Sequence, residues 1–357
     1  MTNTGKSPNE LPLPGHFNPD HADSIWRVPY GERAREAAAW TGRHGIRPAH
    51  EDRFRIGLVL VDMQNTFCLP DGELFAAGRS GRGAVDDTVR LCRFIYHNLH
   101  RITRISPTLD THLPMQIFHA VFLIDDHGHH PEPYTDVTRE EVDNGRWRFN
   151  PALAETLGVT AEEGQRRLEH YVRTLESTGK FALTIWPYHA LLGGVSHALT
   201  SLIEEAVFYH ALCRGAVPDF QVKGDYPWTE HYSVLGPEVL EDPDGQPMSR
   251  KNTAFLDALD AFDAVVLTGQ AKSHCLAWSV QDILEQKPEI APKVYLLEDC
   301  TSPVVIPDGP DFTETAAAAF ERFREAGMHI VQSSRPMAEW PGLTDHVRDA
   351  SRARTNP

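Results

Sequence analysis

The sequence predicts an α/β fold, three layers deep, with a mostly parallel sheet between two layers of helices. Three observations support this. The chain has 357 residues, 41% of them hydrophobic, enough to bury a large core. From Arg55 onward short β-branched runs alternate with amphipathic segments, and that rhythm favours a parallel sheet covered on both faces. Polar residues close several of the apolar runs, as they do where an open parallel sheet binds ligands beyond the carboxyl ends of its strands.

Residues 1–54 are rich in Pro, His, Arg and Asp and lack sustained periodicity apart from a short helix over 31–41, so they read as an arm packed on the domain. IGLVLVD (56–62) is the first strand. A helix follows near 83–100, with Val85, Val89, Cys92, Ile95, Tyr96 and Leu99 at helical spacing. ITRISPTLD (102–110), a short run at 117–124, a helix over 192–213 and the strand FQVK (220–223) continue the pattern. AVVLTG (264–269), a helix after 273, VYLLED (294–299), a helix near 313–326 and HIVQSS complete it. The polar interval 125–185 carries a helix at 160–177 and reads as an insertion, a lid or an oligomer contact, inside a domain spanning 55–335. Residues 336–357 are expected to form a C-terminal tail, frayed over SRARTNP.

Thirty-four Lys plus Arg stand against 50 Asp plus Glu, a net charge of −16. With no local basic patch, such a chain repels polyanions, which excludes nucleic acid as the expected partner. No apolar stretch approaches the roughly 18 residues of a membrane helix, and the opening residues lack the apolar centre of a signal peptide. A cytoplasmic protein without membrane association is expected. The five cysteines, at 68, 92, 213, 275 and 300, are widely spaced with no CxxC pair. They suggest neither a disulfide framework nor a cysteine zinc site, and leave room for a reactive thiol.

Four polar residues stand at or just after strand ends: Asp62, Asp110, Lys223 and Cys275. Each alone has a structural explanation: a cap for the aspartates, a solvated edge charge for the lysine, a small buried hydrophobe for the cysteine. Together they allow chemistry. A strand, a Gly-containing turn and a helix place Cys275 near a helix N-terminus, where unpaired N–H groups and the macrodipole favour thiolate and can receive an oxyanion. Asp62 could exchange the proton while Lys223 balances the charges. A second set combines DTH (110–112) with WPYH (186–189): Asp110, His112 and His189 supply one carboxylate and two imidazoles, with positions left open on Zn(II), Fe(II) or Mn(II). In a chain with 19 histidines a D-x-H tripeptide is weak evidence by itself, and His127, His129 and His130 read as a solvated loop.

The blocks VDMQNTFC (61–68), LDTHLP (109–114), WPYH (186–189), VKGDYPWTEHYSVL (222–235) and LTGQAKSHCLAWSVQDIL (267–284), in this order, resemble the isochorismatase-like cysteine hydrolases, and among them the nicotinamidases. The resemblance covers about 55–335, less the insertion. It implies the Rossmann-like fold of that superfamily and an Asp–Lys–Cys triad of Asp62, Lys223 and Cys275. It implies a divalent metal, zinc first with iron or manganese as alternatives, on Asp110, His112 and His189. It further implies substrate packing by Phe67 and Trp186, and a cis peptide between Gln270 and Ala271 that turns backbone N–H groups toward an oxyanion. The chain departs from the nicotinamidase pattern at Lys272 and Ser273, where Thr and Asp are usual, and at Ala190, where Cys is usual. The additional metal-side histidine of that pattern is represented by Gln116 or, in a shifted register, His119.

The expected activity is metal-assisted hydrolysis of a small, nicotinamide-like amide to acid and ammonia through a cysteine thioester, in a homo-oligomer whose partner is the small-molecule amide. The alternatives are the same triad acting on a ureido, carbamoyl or aminoacrylate-type C–N bond, and a non-catalytic binding protein of this fold. A dehydrogenase is disfavoured, because GRSGRG (78–83) has the wrong spacing and does not directly follow a strand.

Overall fold

The computed structural model describes residues 10–178, 181–306 and 308–344. In chain order the elements are α1 (Tyr30–His44), β1 (Ile56–Val61), α2 (Asn65–Cys68), α3 (Gly83–Asn98), β2 (Ile102–Asp110), β3 (Leu123–Ile124), β4 (Asp136–Val137), α4 (Arg139–Asp143), β5 (Arg148–Phe149), α5 (Ala161–Ser177), β6 (Leu183–Thr184), α6 (Ser201–Arg214), β7 (Gln221–Lys223), α7 (Thr253–Asp260), β8 (Ala264–Gly269), α8 (Cys275–Gln286), β9 (Val294–Leu297), α9 (Thr313–Glu325) and β10 (His329–Val331). Among the described residues they form two compact units, one within 10–109, 199–221 and 254–344, the other within 110–198 and 222–253.

The main sheet has the order β10-β9-β8-β1-β2-β7. The pairs β1–β2, β1–β8, β8–β9 and β9–β10 are all parallel. This is the predicted fold class. After β1 the chain moves to β2 on one side, and later returns to β8 on the other, so strand order reverses at β1. A crevice opens at such a switch point, beyond the carboxyl ends of the two strands. The register pairs Val61, the last residue of β1, with Gly269, the last of β8.

Side-chain parity makes the layers. Ile56, Leu58, Leu60, Ala264 and Val266 pack into one core with Val85, Leu91, Cys92 and Ile95 of α3 and Leu202, Ile203 and Ala206 of α6. Val59, Val61, Val265 and Leu267 are equally buried on the opposite face, where α8 packs on β8 and α9 on β10. Strands buried on both faces read as continuous apolar runs, which is why 56–61 and 264–269 were so legible.

The arm contributes to that core. Its helix is longer than expected, 30–44 rather than 31–41, and packs on α6. Leu11, Ala22, Ala37 and Ile46 enter the core, and the Arg33 guanidinium meets the buried Glu205 carboxylate at 2.6 Å. At the other end, the described part of the expected tail is core: Trp340 and Leu343 are buried, and the Trp340 ring stacks on Phe94 at 5.6 Å. The remainder of that tail, including SRARTNP, lies outside the described residues.

Two further expectations are corrected. The helix placed over 192–213 begins only at Ser201, because Gly193 takes φ +83° and 195–197 form a 3-10 turn. The run at 117–124 is strand only at Leu123–Ile124, where it pairs with β5 outside the main sheet.

In the second unit the polar interval is a folded layer. β3 pairs with β5 and β4 with β6, both antiparallel. Thr138 and Glu141 form a reciprocal capping box at α4, and Thr160 caps α5, satisfying orphan N–H groups. α5 buries Leu168, Tyr171, Val172 and Leu175. The rings of Phe122, Phe149 and Trp228 meet edge-on or tilted at 5.0–5.5 Å, so residues 222–253 share a core with the interval.

Gly269 yields the clearest stability test. It takes φ +120°, and a Cβ there would lie 2.1 Å from the Val61 carbonyl oxygen. Gly269→Ala should cost roughly 3 kcal/mol or more, since neither backbone can yield. Gly45→Ala, at φ +58° with nothing within 4 Å, should cost only about 1 kcal/mol. Urea midpoints at constant m-value decide it, and equal losses would refute the close-packing argument.

Candidate active site and metal centre

Asp62 follows β1 directly and takes φ +46°, so the chain turns sharply where the strand ends. Its N–H donates to Thr108 Oγ1 at 3.0 Å, and the Thr108 hydroxyl donates back to Asp62 Oδ1 at 2.5 Å. One β2 hydroxyl therefore anchors Oδ1 of this carboxylate, which is fully buried. On the adjacent strand β8 ends at Gly269. The Gln270 N–H donates to Val61 O at 2.8 Å, and the Gln270–Ala271 peptide is cis.

Cys275 is the first residue of α8, a position where the helix dipole favours thiolate. The other four thiols are held protonated by burial. It pushes Cys68 and Cys92 well above the usual range, Cys213 to about 11, and Cys300 upward as well. His274 beside Cys275 is lowered to about 4 by burial, so at neutral pH it is an uncharged imidazole.

Lys272 and Ser273, the departures from the nicotinamidase pattern, have structural work. Lys272 Nζ donates to Glu298 Oε1 at 3.0 Å and lies 4.3 Å from the Phe320 ring centroid. Ser273 Oγ accepts from the Val304 N–H at 3.1 Å and meets His274 Nδ1 at 2.8 Å. The cation at 272 is thus neutralised within the fold.

In the second unit, Asp110, His112 and His189 bring one ligand atom each within 4.8 Å of one another, all buried. His112 Nδ1 faces Gly224 O at 3.3 Å and His189 Nδ1 faces Pro187 O at 2.8 Å. A carbonyl can only accept, so each Nδ1 carries the proton. Each Nε2 then faces Asp110 Oδ2, at 2.8 Å from His112 and 3.6 Å from His189. Carbonyls that fix the tautomer and present the other nitrogen are the outer shell that metal-ligating histidines use. Burial lowers the His189 pKa, and the neighbouring His112 adds to this. For Asp110 burial acts upward, but the neighbouring His112 and the Lys223 ammonium outweigh it and hold the carboxyl well below its usual range. An anionic carboxylate beside imidazole nitrogens suits zinc or a similar divalent ion.

Lys223 Nζ donates to Asp110 Oδ1 at 2.8 Å and to His231 O at 2.9 Å. Gly224, at φ +92°, lets the chain pass close by: a Cβ there would meet His112 Cε1 at 3.0 Å and Asp110 Oδ1 at 3.1 Å.

Of the two candidates for an additional ligand, Gln116 is spent on the Leu113 N–H and the carbonyls of Gly224 and Tyr226. His119 is fully buried, its ring 6.0 Å from His112 and 6.2 Å from His189. Nδ1 meets Pro114 O at 3.1 Å, and Nε2 has no hydrogen-bond partner among the described residues. Burial and the two neighbouring imidazoles lower its pKa to about 3. His119 fits a nearby cation; Gln116 does not. His127, His129 and His130 are exposed, as expected.

Phe67 is buried in α2 of the first unit. Trp186 is buried in the second, where its Nε1–H donates to Tyr232 Oη at 2.9 Å. Three supporting residues were not singled out from sequence: Thr108, Tyr232 and Glu230. Thr108 could have been found from its place two residues before Asp110 in β2. Tyr232 and Glu230 lie in a segment with no regular structure, which carries no periodic signal.

No protein-family profile matches the chain, and no curated protein does. Among solved structures it is similar to the yeast nicotinamidase bound to the inhibitor nicotinaldehyde, at 18% identity and TM-score 0.48 over 78% of this chain and 99% of that one. It is similar to an Acinetobacter baumanii nicotinamidase/pyrazinamidase, at 16% identity and TM-score 0.46 over 78% and 97%. The Pyrococcus horikoshii pyrazinamidase in complex with zinc gives 17% identity and TM-score 0.41 over 78% and 99%.

Two tests follow from the electrostatics. With four thiols held protonated by burial, iodoacetamide at neutral pH should label Cys275 first, read by peptide mass spectrometry; earlier labelling of another cysteine would refute this. Glu230 is raised well above the usual carboxyl range by burial and then by Asp110, against the pull of Lys223. Its folded pKa therefore exceeds the unfolded value of about 4.3, so its share of stability is complete below that pH and is lost as pH rises toward the folded pKa, by at most about 1.4 kcal/mol per unit. Glu230→Gln should gain stability relative to wild type between pH 5 and pH 8. A difference in urea midpoint that stays constant with pH would sink the assignment.

Proposed function

We propose that this chain is a cysteine amidohydrolase that converts a small amide, R-CO-NH2, to R-COOH and ammonia, with nicotinamide-like ring amides as the first substrate class. The observation that carries the reading is the juxtaposition at the switch point: a buried carboxylate ends β1, and a thiol at a helix N-terminus follows β8, its immediate neighbour.

In the proposed reaction Asp62 takes the Cys275 thiol proton as sulfur attacks the carbonyl carbon, and the C=O π electrons move to oxygen. The sequence motif gives the oxyanion to backbone N–H groups at the Gln270–Ala271 peptide and at the N-terminus of α8. Asp62 passes its proton to the leaving nitrogen, the C–N bond breaks, and ammonia departs from a thioester. Water, deprotonated by Asp62, then attacks the thioester; acid leaves and the thiol is restored. The sequence motif adds Lys223 as the cation that balances these charges, and Phe67 and Trp186 as packing for the substrate ring.

Asp110, His112 and His189 would hold a divalent ion, zinc first, with His119 close by. When bound, such an ion supplies a coordination position for a ring nitrogen or equivalent acceptor, which serves orientation. The neutralised Lys272 offers no charge toward a ureido or carbamoyl group, so the departures at 272 and 273 do not favour those substrates. A homo-oligomer remains part of the proposal.

The test is ammonia release from nicotinamide, pyrazinamide and several ureido compounds, on protein purified without chelator and assayed for metal. Ring amides should be turned over and ureido compounds not. Cys275→Ala and Asp62→Asn should each lose at least about 10³-fold in kcat, and the double variant little more, because groups that act as a unit are not additive. His112→Ala and His189→Ala should lose bound metal. Simple multiplication of the first two effects would refute the catalytic pair, and metal-free wild type with full amidase activity would refute the metal role.

A further inference from the structure

One buried carboxylate lies outside the groups the proposed reaction uses. Asp87, in the second turn of α3, is almost fully buried. Its Oδ2 accepts from Gln270 Nε2 at 2.9 Å and its Oδ1 from Arg90 Nη2 at 2.7 Å, and the Ser302 hydroxyl also donates to it. The other end of the Gln270 amide is occupied too: Oε1 accepts from the Ser302 N–H at 3.2 Å. The Lys272 N–H returns to Ser302 O at 2.9 Å, and Ser273 Oγ receives the Val304 N–H. Arg90 in turn donates from Nε to Asp299 O. One carboxylate thus joins α3, the segment 299–304 and the turn 270–274.

We propose that Asp87 is a positioning residue for the nucleophile: by holding the Gln270 side chain it fixes the turn that delivers the Cys275 sulfur and the adjacent backbone amides to the substrate carbonyl. A primary amide side chain is suited to this place, because it donates to the carboxylate and accepts from a backbone N–H at once. A buried Asp–Gln–backbone chain in which each polar atom has a partner rigidifies what it touches, and displacement of a reacting group by about 1 Å can cost roughly 10²-fold in rate. The inference rests on the assignment of Cys275 as nucleophile.

The decisive variant is Gln270→Met, which keeps volume and removes both side-chain hydrogen bonds. On a turned-over amide its kcat should fall by about 10²-fold, with KM changed by less than about threefold. Hydrogen exchange should rise over 270–276 and stay as in wild type over β9 and α9. Asp87→Leu should behave alike, and the Asp87→Leu/Gln270→Met double variant should be no slower than either single one, since both remove one link. Asp87→Asn retains a carbonyl oxygen for Gln270 Nε2 and should recover kcat to within about tenfold of wild type. If Gln270→Met keeps wild-type kcat, or the double variant is slower by the product of the single effects, Asp87 does not position the turn. If the wild-type thiol labelled first is not Cys275, the nucleophile assignment fails and this inference falls with it; if Cys275 is labelled but the variants behave as wild type, this inference alone fails.

Discussion

The pairing of β1 with β8 is the contact on which the first unit's candidate site depends. Its last rung joins Val61 to Gly269, and it closes only because Gly269 has no Cβ to strike the Val61 carbonyl. From that rung both chains turn away, one into Asp62 at positive φ and the other into the turn leading to Cys275. Because the strands are parallel and adjacent, their carboxyl ends emerge on the same edge, and because the strand order reverses there, no crossover covers it. A carboxylate and a thiol are delivered to that edge by backbone geometry; Thr108 holds the carboxylate, and Asp87 holds the Gln270 side chain in the turn before Cys275.

The second unit solves an electrostatic problem. A buried carboxylate is costly unless it is paired and hydrogen-bonded; Lys223 pairs with one oxygen of Asp110, and the other faces two imidazoles. Carbonyls of Gly224 and Pro187 fix the tautomers, so the nitrogens facing the carboxylate are those suited to a cation. The same burial keeps His119 and His231 uncharged at neutral pH, with pKa values near 3 and 4.

How much of this was legible in the sequence varied with the physical signal. Doubly buried strands such as 56–61 and 264–269 announce themselves as unbroken apolar runs, and the helices 161–177 and 313–325 by their periodicity. The arm and the described tail residues were less legible. Their apolar residues, Leu11, Ala22 and Trp340 among them, are single anchors set in polar chain, and burial of an isolated residue leaves no period. The helix placed over 192–213 failed at its start because two glycines interrupt an otherwise apolar pattern.

By itself the sequence determined the order of the main-sheet strands and of the helices α3, α6, α8 and α9, and the polar residues that stand just beyond strands, Asp62 and Cys275, or end them, Asp110 and Lys223. Local pattern suffices there, since alternation and strand-end polarity are properties of a few consecutive residues. Only the tertiary structure decided that β8 lies against β1 rather than beside β7, and that 222–253 shares a core with 110–198. It also decided that Lys272 is spent on Glu298, and that Asp87 reaches Gln270 across 183 residues of chain. These are contacts between segments far apart in sequence, whose partners are selected by packing and by pairing of buried polar groups, and no local pattern encodes them.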